Sequence, residues 1–243
     1  MRREEGKNAL RNRYQAIDHG DRGMSVDPSW KGVYKVGGLS LFAAGFVLFL
    51  FFLALLILQT SPTLTPEMVL DNPVPPVSLY ALAAFGELLL MPGVLGLYYS
   101  LKNVKKTHML IATALWLVAV ISFLISRSQI IALLPISGSY QATTSETMRA
   151  AYLVSTEHAI ELGNVFADMA LMLLAVSSII IGLVMLKGVF SKGVSYLVII
   201  SGTLTLLGTI GVLLEPLTIL TLFGLVLTAV WQIVVGVKLY KLG

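Results

Sequence analysis

The chain has 243 residues, of which 56% are hydrophobic and 12% charged, with a formal net charge of +4. Soluble domains carry roughly 25% charged residues, so a water-surrounded globule is excluded and lipid is the expected solvent for most of the chain. There is no cysteine, which removes disulfides, thiolate metal sites, cysteine nucleophiles and iron–sulfur clusters from consideration.

Eight of the seventeen Lys and Arg residues precede Val36. Beside an apolar run, such an arm marks the cytoplasmic face of a membrane rather than a nucleic-acid contact. Residues 1–36 are therefore expected to form a basic cytoplasmic arm. Leu10, Tyr14 and Ile17 fall at i, i+4 and i+7, the pattern of a short interfacial helix or of a partly ordered tail.

Six apolar runs follow, each long enough for a span of about 20 residues. They are Gly37–Gln59, Val77–Ser100, Met109–Ser128, Gly163–Leu186, Val194–Leu214 and Leu217–Val237. The first is too long, and preceded by too much polar chain, to be a cleaved signal peptide. The first connection, "SPTLTPEMVLDNPVPPVS", holds five of the nine prolines and predicts a stiff, non-helical crossing. The turn after the second span carries Lys102, Lys105 and Lys106. In the next connection, "TTSE" predicts Thr143 as an N-cap with Glu146 three residues on, opening an outer helix over about 144–162. That helix leads into the fourth span, either projecting from the bilayer or bending at Gly163. Basic residues alternate rich and poor along the connections, with Lys187 and Lys192 in the turn after span four and Lys238 and Lys241 in the tail. Both termini are thereby expected in the cytoplasm. Tyr34, Tyr98, Tyr99, Tyr196, Trp231 and Tyr240 lie near span ends, which suits interfacial anchoring or ordinary bundle packing equally. The predicted fold is an all-α polytopic bundle of six transmembrane helices in the cell membrane.

Within it, a few polar residues need partners. Glu157, Glu161, Asn164 and Asp168 recur at i, i+4, i+7 and i+11, one face of a helix, with His158 beside them. Glu157, His158 and Glu161 read as an outer acidic face in water. Helical rise places Asp168 about 28 Å from Lys187, Arg127 about 28 Å from His108 and Glu87 about 22 Å from Lys102, so the three share one layer. Glu87 lies five residues before Pro92, which is expected to kink the second span. A charge at the bilayer centre costs about 2.5 kcal/mol or more. Arg127 is therefore expected to pair with Asp168 or Glu87 inside the bundle. Glycines 86, 93 and 96 in span two and 202, 208 and 211 in span five invite close helix approach.

"GLYYSLK", closing span two, and "IIIGLVMLKGVFSKGVSYLVIISGTLTLLG", joining spans four and five, carry a resemblance over about Leu79 to Gly208. The layout resembles a prokaryotic six-span membrane family classed as a domain of unknown function. That family implies the six-span fold and supplies no known activity to carry over, and the long basic arm departs from it. Three functions follow from the residues. A non-enzymatic binding, accessory or sensor-type subunit fits the lack of catalytic motifs. A small secondary transporter or channel would use Glu87, Arg127, Asp168 and Asn164 around a polar cavity. A membrane-embedded metal-dependent enzyme would need more ligands than His158 and Glu161 supply. No metal site or nucleic-acid partner is predicted, and the cofactor is unknown from the sequence; the bilayer is the expected partner, with a homo-oligomer or a second membrane protein left open.

Overall fold

A computed structural model describes residues 27–57, 64–211 and 218–243. Among them every regular element is helical. After a 3-10 turn at Pro28–Trp30 come α1 (Lys31–Ile57), α2 (Pro66–Asp71), α3 (Val74–Leu101), α4 (Lys106–Ile131), α5 (Leu133–Ala142), α6 (Glu146–Met185), α7 (Lys192–Ile210) and α8 (Thr218–Leu242). Six helices are long and apolar enough to cross a membrane, α5 continuing the run of α4. They coincide with the six apolar runs of the sequence. Helix α1 begins before the expected end of the arm, so Lys31–Val36 are already helical. The expected interfacial helix around Leu10, Tyr14 and Ile17 lies outside the described residues.

The long helices form a closed ring. Each packs on its neighbours in chain order (α1, α3, α4, α6, α7, α8), and α8 returns to α1. Closure needs backbones to touch. A Cβ on Gly38 of α1 would lie 2.7 Å from the Gly236 carbonyl of α8, and one on Gly236 would lie 2.8 Å from the Gly38 carbonyl. Only glycine fits both sides of that seam, the small-residue packing that lipid-embedded helices use. The glycines singled out in span two work the same way, Gly96 lying against Gly37 and Gly93 against Leu41.

One end of the ring gathers the described lysines. The α3–α4 turn, the α6–α7 turn, the start of α1 and the end of α8 meet there. Lys238 Nζ donates to Ser191 Oγ at 2.9 Å. Trp30 stacks on Tyr99 at 3.8 Å, and Lys102 lies over both rings. Asp27 caps the 3-10 turn, accepting from Ser29 N at 2.9 Å and Ser29 Oγ at 2.7 Å. Those two hydrogen bonds hold its carboxyl below the usual carboxylate range. Tyr34 and Trp231, placed by sequence near span ends, are fully buried. Tyr34 donates to Asp27 O at 3.2 Å, so neither residue is an exposed anchor; Tyr196 and Tyr240 are exposed.

At the opposite end α2 and α5 pack on α6. Val69, Ile130, Leu133 and Ile160 form a small second core there. The expected non-helical crossing is corrected over Pro66–Asp71. Proline at the first helical position lacks only a donor the helix would leave unpaired anyway, and Thr65 Oγ1 caps the turn by accepting from Met68 N at 3.3 Å. The Gln141 side chain donates to Leu70 O at 2.9 Å and Asp71 O at 3.1 Å, tying α5 to the end of α2. The N-cap of α6 is Ser145, accepting from Met148 N at 3.4 Å, rather than Thr143, which ends α5. Helix α6 runs for 40 residues, about 60 Å, and passes Gly163 without a break. Gly163 is buried against the Ser126 carbonyl of α4.

Candidate functional site

The interior of the ring is filled unevenly. Towards the basic end it is solid, with Leu41, Val94, Leu97, Met109, Trp116, Met185, Trp231 and Val235 in one core. Trp116 of α4 and Trp231 of α8 meet edge to face at 5.6 Å, although their helices are not ring neighbours. Towards the α2–α5 end, a half-enclosed cavity of about 400 Å³ lies between five of the six long helices. Each lends it one stripe at helical spacing. Helix α1 supplies Ala44, Leu48 and Phe51. Helix α3 supplies Tyr80, Ala83, Glu87 and Leu90, and α4 supplies Phe123 and Arg127. Helix α6 supplies Asn164, Asp168 and Leu171, and α8 supplies Leu225 and Gln232.

Arg127 makes its ion pair with Glu87, not Asp168. Its Nε and Nη2 both donate to Glu87 Oε1, at 3.0 and 2.9 Å. The two side chains are 15% and 11% exposed. The guanidinium also lies 5.2 Å from the Tyr80 ring centre, 5.5 Å from Phe123 and 5.9 Å from Phe51. Three aromatic faces from three helices thus surround one cation, an attractive arrangement because the ring faces are negative. Glu87 Oε2 is buried and has no hydrogen-bond partner among the described residues.

Asp168 and Asn164 line the same cavity, but neither forms a hydrogen bond or ion pair with Arg127. Asp168 is half-buried. Glu157, His158 and Glu161 are exposed on the first half of α6 and stand apart from the cavity. Among the described residues no three His, Asp or Glu side chains gather as a metal site.

Tyr80, Phe51 and Gln232 are among the lining residues that the sequence reading missed. Tyr80 lies seven residues before Glu87, two turns along the same face, so its placement was available from spacing. Phe51 and Gln232 were not. They belong to α1 and α8, and nothing in their own segments says which face turns inward. Gln232 is 1% exposed. Its amide nitrogen and oxygen both lack partners among the described residues. A buried unpartnered amide costs about 1–3 kcal/mol, so a polar group in the cavity would relieve it.

Chemically the cavity is an apolar chamber with a few convergent polar groups, within the usual size range of small-molecule sites. Its described lining presents two carboxylates, two amides, a guanidinium and a phenol, with no nucleophile beside a general base. No family model, curated protein or solved structure matches the chain.

Proposed function

We propose that the protein is a non-enzymatic, multi-pass membrane protein of the cell membrane that binds a small molecule inside its helix ring, as an accessory or sensor-type subunit. The carrying observation is the cavity of about 400 Å³ between α1, α3, α4, α6 and α8, with the Glu87–Arg127 pair on its wall. A bundle whose ion pair served packing alone would close around it, because protein interiors fill to crystal-like density. Here the pair borders open space instead. In this reading both termini face the cytoplasm, supported by the gathering of Lys31, Lys35, Lys102, Lys105, Lys106, Lys187, Lys192, Lys238 and Lys241 at one end. The first half of α6, with α2 and α5, then forms an outer cap, since a helix of about 60 Å is twice the hydrocarbon thickness.

The test is native mass spectrometry of protein extracted from its membrane in mild detergent. We expect a non-lipid adduct that is lost in Ala83→Trp, where an indole fills the cavity from α3. A folded Ala83→Trp protein with its adduct intact, or wild type with none, would overturn the reading.

A second reading, transport, draws on the one-sided filling of the ring: a packed core that holds Trp116 and Trp231 lies towards the basic end and the cavity towards the other, as in one state of an alternating-access carrier. Substrate-dependent flux in proteoliposomes that Glu87→Gln abolishes would establish it.

A further inference from the structure

The charges around the cavity do not balance. Glu87 and Arg127 neutralise each other at 2.9 Å. Asp168 faces the same space with no cation beside it among the described residues. Acceptors outnumber donors among the unmatched polar atoms around it. The acceptors are the Asp168 carboxylate, Glu87 Oε2 and Gln232 Oε1, and the donor is Gln232 Nε2; the Glu87 and Gln232 atoms are buried and without partners among the described residues. The walls between them are aromatic and aliphatic, with Phe51, Phe52, Tyr80 and Phe123 among the lining side chains. Arg127 itself shows that these aromatic faces accept a positive group.

We propose that the cavity binds a small monovalent organic cation with an apolar body, and that Asp168 is its counter-ion. The proposal rests on the reading of this cavity as a ligand site and specifies its ligand class. An uncompensated charge at membrane depth is costly, and an incoming cation would bring the cavity to neutrality. Aromatic walls add to the attraction, as they do in sites for alkylated ammonium groups. A carboxylate-bearing ligand would meet Asp168 and the outer oxygen of Glu87 as like charges, with Arg127 already engaged.

Three probes of one shape separate the possibilities: benzyltrimethylammonium, its carbon isostere neopentylbenzene, and phenylmethanesulfonate. Binding to the full chain in lipid nanodiscs is read by equilibrium dialysis, with empty nanodiscs subtracted. The expected result is that the cation binds about tenfold or more tightly than the isostere, and that the sulfonate does not bind. Asp168→Asn should remove that preference and leave the isostere unaffected, and Leu171→Trp should abolish binding of both. Equal or tighter binding of the isostere or the sulfonate would overturn the cation assignment and leave the ligand cavity standing. Cation binding that survives Leu171→Trp would place the site elsewhere and overturn it too. Failure of all three probes would sink the cavity reading together with it. If Asp168→Asn does not fold, the ranking of the probes on the unaltered protein decides.

Discussion

Glu87 meets Arg127 through a single carboxylate oxygen, inside an aromatic enclosure from three helices. Removing one member of a buried pair leaves the other uncompensated, which costs more than removing both. Glu87→Leu should therefore lower stability by about 3 kcal/mol, while adding Arg127→Leu should recover part of the loss. Thermal unfolding of the single and double variants in detergent checks this; strictly additive losses would mean the two side chains are energetically independent. The shared depth of Glu87, Arg127 and Asp168 was legible because each is a lone charge in an apolar run, and helical rise converts position into height. The choice of Glu87 over Asp168 was not. Helix α4 has α3 on one side and α6 on the other, so its rotation about its own axis selects the partner, and hydropathy carries no signal for that angle. Gln232 was hidden for a related reason, since its inward face exists only once α8 has closed against α1.

At the scale of elements, length and apolarity made the six long helices plain, because a bilayer demands continuous apolar segments of a set length. The short helices α2 and α5 were hidden. Prolines that read as breaks sit where a helix tolerates them, Pro66 at the first helical position of α2 and Pro75 in the first turn of α3. Glycines split by what faces them. Gly38→Ala would drive a methyl group into the backbone of α8 and should cost about 1–3 kcal/mol. Gly32→Ala in the same helix meets nothing within 4 Å and should leave stability unchanged or raise it by about 0.5 kcal/mol. Melting temperatures of the two variants in one detergent would test the contrast. Equal shifts would mean the α1–α8 seam is looser than the structure shows.

For the whole molecule, the decisive asymmetry is between a solid basic end and a hollow capped end. Because the chain lacks cysteine, single reporters can be read against a silent background. Asn103 lies in the α3–α4 turn and Ser139 on α5, both exposed. A membrane-impermeant maleimide should label Ser139→Cys on intact cells and Asn103→Cys only after permeabilisation. The opposite pattern would invert the proposed orientation and move the cap into the cytoplasm. Basic-residue alternation along the sequence carries this orientation.

The ring joins chain neighbours in order and is completed only by the contact between its first and last helices. Helix α1 is made before α8, so Gly38 and Gly45, which pack on α8 in the finished ring, stay open until Gly236 has been synthesised. A nascent protein truncated within α8 would therefore lack a wall of its chamber as well as the latch that closes it, and would present a glycine-lined groove to whatever surveys unfinished chains in the bilayer.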